Sequence, residues 1–206
     1  MLDVHTHILP GVDDGIESEE EALSVIQEYK NNGVEKIVFT PHLNHPTVKT
    51  DIEKIYNTYE RLKPKFEEIG VKTYLGSEIY LTPKVDKLIP INERFLLLEL
   101  PTESYPIYLL DKIFELQLEG YDIILAHVER YRWLNDNEPV IDRLKTMNVY
   151  FQMNFESIKN DNYYLKNSLV EFLATDYHRN RNNLDFSLFE KYREIIEKEL
   201  EILKLK

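Results

Sequence analysis

Residues 94–100 read RFLLLEL, a run in which Glu99 is the only polar residue after Arg94. A run this apolar has no water-facing side, as is typical of a central strand in a parallel sheet that helices cover on both faces. The runs VEKIVFT at 34–40 and DIILA at 122–126 have a similar character. We therefore predict a sheet of parallel strands, in which a buried Glu99 needs a cation or a polar partner.

Helix signals separate these apolar runs. Ser18 with Glu21 and Thr50 with Glu53 form capping boxes that predict two helix starts, and Pro64 is expected to kink the second helix. The predicted strands are residues 2–6, 34–40, 71–78, 94–100, 122–126, 148–154 and 170–175. The other predicted helices are residues 105–119, 138–147, 161–169 and 185–205, with a turn and a short helix within 81–91.

Strand and helix alternate seven times with short connections, a pattern that predicts parallel strands joined by crossover helices. An open doubly wound sheet and a closed barrel both satisfy it. A full eight-unit barrel typically needs about 250 residues, so a chain of 206 residues favours a smaller or distorted barrel. We find no linker and no repeat, and therefore predict a single domain over residues 1–206.

Composition excludes several classes of function. The net charge of −12 repels nucleic acids and anionic lipids, so no nucleic-acid partner is expected. The chain has no cysteine, which excludes disulfides, thiolate nucleophiles and cysteine-based zinc sites. No stretch is apolar enough to span a membrane, and the acidic N-terminus predicts no signal peptide. We expect a cytoplasmic protein without membrane insertion.

Histidines and acids gather where the predicted strands end. His5 and His7 close the first strand, where a spacing of two directs both imidazoles to one side. Asp176 and His178 repeat this spacing after the last strand. Because the carboxyl ends of parallel strands form one rim, we expect distant residues to meet there. The candidate set is His5, His7, Asp14, His42, Glu78, Glu99, His127, Asp176 and His178.

Imidazole and carboxylate without sulfur form a ligand set for Mn, Fe or Zn. A single histidine, or a single H-x-H, is more typical of a hydrogen-bonded or surface residue, and Asp13 and Asp14 alone could simply form a turn. The joint placement of five of the six histidines at strand ends favours a metal site. The sixth, His45, is expected to be a loop residue.

Five motifs occur in a fixed order: DVHTHILPGVDDG at 3–15, TPH at 40–42, GSEIY at 76–80, AHVERY at 126–131 and ATDYH at 174–178. As an ordered set they resemble the polymerase and histidinol phosphatase (PHP) superfamily. Within it they are most similar to the bacterial manganese-dependent protein-tyrosine phosphatases of the CpsB/CapC type. The resemblance extends from residue 1 to about residue 180.

This resemblance implies a distorted seven-stranded barrel that holds three divalent ions, most simply Mn²⁺, with Fe or Zn as alternatives. The first ion would be held by His5, His7, Glu78 and Asp176. The second would be held by Glu78, Glu99 and His127. The third would be held by Asp14, His42 and His178. The three cations outweigh the carboxylates, so a negative protein can still present a positive pocket to phosphate.

The resemblance also implies metal-assisted hydrolysis of a phosphomonoester by a hydroxide, without a covalent intermediate. Arg130 matches the family's phosphate-binding arginine, and Arg179 and Arg181 are the candidates for a second one. They lie closer to the D-x-H motif than the family pattern predicts. His42 and His178 are candidates to protonate the leaving oxygen where they are not firmly bound to an ion. The implied substrate is a phosphotyrosine protein, a tyrosine kinase of capsule or exopolysaccharide synthesis.

Other functions remain open on the sequence. A histidinol-phosphate phosphatase, or another small-metabolite phosphatase of the same superfamily, would use the same rim. An exonuclease is disfavoured because the chain has no basic stripe, and an amidohydrolase usually has a lysine where this sequence has Glu99. A non-catalytic metal-binding regulator is the alternative of another class.

Overall fold

The computed structural model describes residues 1–135, 137–158, 163–179 and 184–205. These residues contain nine strands and eight α-helices. The strands are β1 Leu2–Thr6, β2 Lys36–Phe39, β3 His42–Leu43, β4 Lys72–Leu75, β5 Glu78–Tyr80, β6 Phe95–Glu99, β7 Asp122–Leu125, β8 Tyr150–Asn154 and β9 Phe172–Ala174. The helices are α1 Glu19–Asn31, α2 Ile52–Ile69, α3 Leu109–Leu118, α4 Arg132–Asn135, α5 Glu138–Thr146, α6 Tyr163–Lys166, α7 Ser187–Lys191 and α8 Arg193–Leu203.

The fold is α/β with parallel sheets, as predicted. The strands form a three-stranded sheet in the order β1-β2-β4 and a six-stranded sheet in the order β3-β5-β6-β7-β8-β9. Every pairing within them is parallel. The strands therefore share one direction, and their carboxyl ends lie on the same side of the molecule.

The structure has two short strands more than the prediction. The run 34–40 forms β2 alone, and β3 lies beyond it, after Thr40 and Pro41. The run 71–78 forms β4, and its last residue, Glu78, begins the separate strand β5. Pro41 has no N–H to donate to a strand ladder, so the ladder is interrupted there. The carbonyls of Thr40 and Pro41 still accept from the Glu78 N–H, at 3.2 Å and 3.1 Å. The described residues thus contain nine strands where seven were predicted, because β2 and β4 belong to the three-stranded sheet and the short β3 and β5 that follow them belong to the six-stranded sheet.

Backbone hydrogen bonds also join the first strand to the segment that follows the last. The Asp176 N–H donates to the His5 carbonyl and the His7 N–H donates to the Tyr177 carbonyl, each at 2.9 Å. Thr6 and Tyr177 form a parallel bridge there. We refer to these contacts as the terminal seam. The seam places His5 and His7 beside Asp176, although the first two precede α1 and Asp176 follows the last strand.

The helix boundaries follow local chemistry, with corrections. The Ser18 side chain caps α1 by accepting from the Glu21 N–H, as predicted. The cap of α2 is Asp51, not Thr50: its carboxylate accepts from the N–H groups of Glu53 and Lys54. Pro64 lies inside α2 without ending it.

Several other boundaries differ from the prediction. Residues 81–91 contain no helix, the predicted helix 105–119 begins only at Leu109, and 185–205 forms α7 and α8 on either side of Tyr192. The predicted helix 161–169 is seen as α6, and its first two residues lie outside the described part. Helix α4 was not predicted.

The core lies between the sheets and the inner faces of the helices. The buried face of α1 consists of Ala22, Val25, Ile26 and Tyr29. On α2, Ile55, Tyr59 and Leu62 are buried, whereas Tyr56 is exposed. Within the described residues, no helix combines the length and apolar character that crossing a membrane requires.

Candidate metal centre

The predicted donors converge at the carboxyl ends of the strands. Each lies at a strand end, at a strand start beyond a break, or in the loop that follows. Those that are buried almost completely are His5, His7, Glu78, His127 and Asp176. His42 and Glu99 are slightly exposed, and Asp14 and His178 lie further out towards solvent. The rim predicted from the sequence is therefore a real cluster.

Three overlapping groups have ligand atoms close enough to share an ion. The first contains His5, His7 and Asp176. The second contains His42, Glu78 and Glu99. The third contains His7, Asp14, His42 and His178. These groups overlap the three ligand sets that the family resemblance implies but differ from them. The first lacks Glu78, the second has His42 in place of His127, and the third also includes His7.

In the first group, hydrogen bonds determine which nitrogen of each ring faces inward. His7 Nδ1 lies 2.7 Å from the Asp13 carboxylate, so Nδ1 carries the proton that it donates. His5 Nδ1 lies 3.1 Å from the side-chain oxygen of Gln152 and donates in the same way. In the neutral form of each ring, Nε2 therefore carries the lone pair, and the two Nε2 atoms lie 3.3 Å apart.

Carboxylates face the same two nitrogens. Glu78 Oε2 lies 3.3 Å from His5 Nε2 and 3.2 Å from His7 Nε2. Asp176 Oδ1 lies 3.6 Å from each of them. Lone pairs and negative charge thus point at one buried location. A cation fits this donor set, and its imidazoles are already in the tautomer that a metal requires.

The second group contains polar atoms that lack hydrogen bonds. His42 Nδ1 lies 2.9 Å from Glu78 Oε2 without hydrogen-bonding geometry. Glu99 Oε2 has no hydrogen-bond partner among the described residues. Buried polar groups are ordinarily satisfied, so these atoms fit a bound ion.

His127 lies on the other side of Glu78. Its Nε2 is 2.8 Å from Glu78 Oε1 and 3.8 Å from Glu99 Oε1. It has a positive φ of 32°, and Asp176 has one of 49°. Both residues are therefore held in the left-handed region, a strain that is typical of functional sites.

The third group lies nearest the surface. Asp14 Oδ1 is 3.5 Å from His42 Nε2 and 3.6 Å from His178 Nε2. The His178 ring stacks on His7 with centroids 4.0 Å apart. Its Nδ1 donates to the Asp176 carbonyl at 3.0 Å, which turns Nε2 towards Asp14.

The electrostatics of the cluster favour a positive occupant. Burial tends to raise the pKa of Glu78 and Asp176, but the surrounding histidines outweigh burial and lower each pKa well below its ordinary value. Burial and the charge of Glu78 together raise the pKa of Glu99 to about 7. At Glu99, the negative charge of Glu78 is therefore not fully offset by the surrounding positive groups.

The arginines predicted to bind phosphate differ in their surroundings. Arg130 lies in a 3-10 turn after β7, 35% exposed, with Nη2 at 2.5 Å from Asp176 Oδ2. Arg179 pairs with Glu17 and Glu21 near the start of α1. Arg181 lies outside the described residues. Only Arg130 is therefore seen in contact with the cluster.

Four residues near the donors were not predicted to take part. His45, expected to be only a loop residue, does lie in a loop, but its Nε2 is 3.7 Å from Glu99 Oε2. Asp13 orients His7, and Gln152 and Asn154 contact the cluster from β8. The spacing of two between Gln152 and Asn154, inside an otherwise apolar strand, was the available sequence signal.

A family model settles the relationship that the motifs suggest. The model described as "Capsular polysaccharide synthesis, CpsB/CapC" matches residues 1–201. The chain belongs to the CpsB/CapC family. Among its CpsB/CapC relatives, CapC of Staphylococcus aureus is 34% identical over 196 residues, which cover 86% of this chain and 77% of CapC. The tyrosine-protein phosphatase CpsB of Streptococcus agalactiae is 29% identical over 209 residues, 90% of this chain and 84% of CpsB.

Solved structures agree with the CpsB/CapC assignment at the level of the fold. One chain comes from the crystal structures of YwqE of Bacillus subtilis and CpsB of Streptococcus pneumoniae, which are metal-dependent tyrosine phosphatases. It matches with a TM-score of 0.84 at 24% identity, over 97% of this chain and 93% of its own length. A histidinol phosphate phosphatase from Lactococcus lactis, solved with zinc, L-histidinol and phosphate, matches with a TM-score of 0.63 at 17% identity, over 96% and 92% of the two chains.

Proposed function

We propose that this chain is a metal-dependent protein-tyrosine phosphatase. The observation that carries the proposal is the buried meeting of imidazole and carboxylate donors in three overlapping groups beside Arg130. Membership of the CpsB/CapC family and the names of its relatives, tyrosine-protein phosphatases, support it. Absence of cysteine excludes the thiolate route to phosphate ester cleavage.

The chain's own residues suit this chemistry. His5, His7, Glu78 and Asp176 would hold one ion. Glu78, Glu99 and His127 would hold a second, and Asp14, His42 and His178 a third. When bound, such ions lower the pKa of water from about 15.7 towards 7 and thereby supply a hydroxide nucleophile at neutral pH. The ligand types suit Mn²⁺, which we propose as the native ion, and also Fe and Zn.

Arg130 would bind the phosphate. Its guanidinium has five N–H donors, and the contact with Asp176 engages Nη2, so other donors remain available on a side chain that is 35% exposed. Donors placed at the phosphate oxygens stabilise the charge that develops in the transition state. Arg179 and Arg181 remain candidates for a second phosphate contact, although Arg179 would have to leave Glu17 and Glu21.

The leaving group favours tyrosine over serine. A phenolate, with an intrinsic pKa near 10, departs far more readily than an alkoxide. His42 and His178 lie at the outer side of the cluster. Either one would protonate the departing oxygen only in a state in which it does not also hold an ion.

We further propose that the two sheets together form one distorted seven-stranded barrel in a single domain over residues 1–206. The terminal seam supports closure at one junction. The bond from the Thr40 N–H to the Thr6 carbonyl, at 2.9 Å, and those from Glu78 to residues 40 and 41 support continuity at the other. A crystal structure with both junctions hydrogen-bonded is the expected result, and an open gap at either would contradict the barrel.

The substrate we propose is a phosphotyrosine protein, most directly a tyrosine kinase of capsule or exopolysaccharide synthesis. The family's description, capsular polysaccharide synthesis, supports this choice. Because tyrosine phosphorylation consumes ATP, we propose that the reaction takes place in the cytoplasm.

The test is one panel of assays on the purified protein. Metal content is measured first, and hydrolysis of a phosphotyrosine peptide, a phosphoserine peptide and histidinol phosphate is then compared after adding back Mn²⁺, Fe²⁺ or Zn²⁺. We expect the highest kcat/KM on the phosphotyrosine peptide. Preference for histidinol phosphate would identify a metabolite phosphatase instead, and metal binding without turnover of any ester would identify a regulator.

A further inference from the structure

Two buried amides on β8 adjoin the cluster. Gln152 and Asn154 are both inaccessible to solvent and, being two residues apart on a strand, they lie on the same face. That face is turned towards His5, His127 and Asp176. An apolar side chain would fill this space without desolvating an amide, so the two amides need an explanation.

One backbone group fixes the orientation of both amides. The His127 N–H can only donate, and it lies 2.8 Å from one side-chain atom of Gln152, which must therefore be the carbonyl oxygen Oε1. The other atom, Nε2, then donates to Asn154 Oδ1 at 2.8 Å. The remaining Asn154 atom is consequently Nδ2, which donates to Asp176 Oδ2 at 2.9 Å.

The same orientation determines the tautomer of His5. Gln152 Oε1 is an acceptor, so His5 Nδ1, 3.1 Å away, must carry the proton. The lone pair of neutral His5 is then on Nε2, which faces Glu78 and His7. At the far end, Asn154 holds one oxygen of Asp176 and leaves Oδ1 turned towards His5 and His7.

We propose that Gln152 and Asn154 act as one amide relay, a pair of positioning residues that holds His5 and Asp176 in their metal-binding form. The inference rests on the proposed metal centre, but its structural half concerns the ion-free protein. Mutation of a residue that hydrogen-bonds a metal ligand in this way typically weakens metal binding about 10–100-fold. The relay thus extends the centre to a strand that supplies no ligand of its own.

The first test reads the tautomer directly. Histidine side-chain ¹⁵N spectra are recorded on ion-free protein at a pH where His5 is neutral, for the wild type, Gln152→Met and Gln152→Glu. The wild type is expected to show the proton on His5 Nδ1, and Gln152→Met a mixture of tautomers. Gln152→Glu should retain Nδ1–H, because a carboxylate still accepts from His5 and from the His127 N–H. An unchanged tautomer in Gln152→Met would overturn the proposal.

The second test measures Zn²⁺ affinity by competition with a chelator. Gln152→Met and Asn154→Leu should each weaken binding about 10–100-fold. The double variant should be no weaker than the worse single variant, because either change already breaks the relay. Gln117→Met is the matched control. Gln117 lies on α3, away from the cluster, and donates to the Met147 carbonyl, so this variant should bind Zn²⁺ like the wild type.

The outcomes separate the relay from the metal centre. Additive losses in the double variant would show two independent supports and overturn the relay. If the wild-type protein fails to bind Zn²⁺, the proposed metal centre is contradicted, but the ¹⁵N spectra still test the amide orientation.

Circular dichroism of each ion-free variant shows whether it is folded. If Gln152→Met fails to fold, the test is made with Gln152→Glu and Asn154→Leu. In that pair, Gln152→Glu should keep the His5 tautomer, and a changed tautomer would overturn the proposal.

Discussion

His5 Nε2 and His7 Nε2 lie 3.3 Å apart in a buried pocket, and the outer nitrogen of each ring is engaged by a partner that accepts its proton. Two imidazole lone pairs at this distance repel each other unless a cation or a proton lies between them. This relationship makes the cluster a site that favours occupation by an ion.

Removal of the ions should abolish phosphatase activity. After chelation the protein should remain folded and show no turnover of phosphotyrosine peptide, and added Mn²⁺ should restore it, because the hydroxide nucleophile depends on the ions. The wild-type melting temperature should also rise with free Mn²⁺, since an ion that binds only the native state stabilises it. Full turnover by protein shown to be metal-free would contradict the mechanism.

Metal affinity should weaken as the pH falls. Burial tends to lower the pKa of His7, but the carboxylates of Asp13 and Glu78 outweigh it and raise the pKa well above its ordinary value. The pKa values of His5 and His42 are raised by a similar balance. Ions must displace these protons, so the Mn²⁺ dissociation constant should be larger at about pH 6 than at about pH 8. Equal constants at both values would contradict this linkage.

Asp13→Ala should lower metal affinity without removing a ligand. Asp13 accepts the Nδ1 proton of His7 and the N–H of His42, so its loss frees the His7 ring to adopt the other tautomer. We expect Zn²⁺ binding about 10–100-fold weaker by chelator competition. Asp86→Ala removes an exposed carboxylate in the loop after β5 and is the control that should bind normally.

Arg130→Ala should reduce turnover more than metal content. Loss of a donor at the transition state commonly costs about 10²–10³-fold in rate, whereas Asn154 still holds Asp176. The measurements are kcat and KM on phosphotyrosine peptide together with metal analysis of the same sample. If the variant loses its ions instead, Arg130 supports Asp176 and does not primarily bind phosphate.

Glu199→Gln should stabilise the protein at alkaline pH. Burial raises the pKa of Glu199 well above its ordinary value. Oε1 accepts from the Leu173 N–H at 2.7 Å, and Oε2 has no hydrogen-bond partner among the described residues. The native state therefore retains a proton that the unfolded state has released. Its free energy of unfolding falls as the pH rises from the ordinary glutamate value through the raised one.

Glutamine keeps the acceptor and removes this titration. Because glutamine has no proton to lose at alkaline pH, the melting temperature of Glu199→Gln should exceed that of the wild type at about pH 8, and the gain should shrink towards about pH 4. Glu201→Gln, an exposed change on the same helix, is the control. A gain of equal size across the whole range would show that the carboxylate does not titrate as argued.

Local sequence chemistry predicted much of the fold. The run 94–100 gave β6 almost to the residue, and Ser18 gave the start of α1, because burial of a strand and capping of a helix depend on neighbouring residues. Thr50 and Asp51 are both good caps, so the sequence could not decide between them. The predicted second strand ended at Thr40, and the two-residue strand β3 beyond Pro41 was missed because it is too short to show a sequence pattern.

The candidate donors were predictable because the carboxyl ends of parallel strands lie on the same side of a sheet. The residues that hydrogen-bond these donors were not predictable. Gln152 is 147 residues from His5, and no local pattern encodes such a contact. His45 illustrates the same limit, because its position in a loop was correct while its approach to Glu99 depends on how that loop folds back.

The terminal seam has a consequence for how the centre is assembled. His5 and Asp176 come together only when the first strand is joined to the segment after the last one, and such long-range contacts carry a large entropic cost of loop closure. A nascent chain that does not yet contain Asp176 therefore cannot complete the first ligand group, however much of the remaining cluster it has formed.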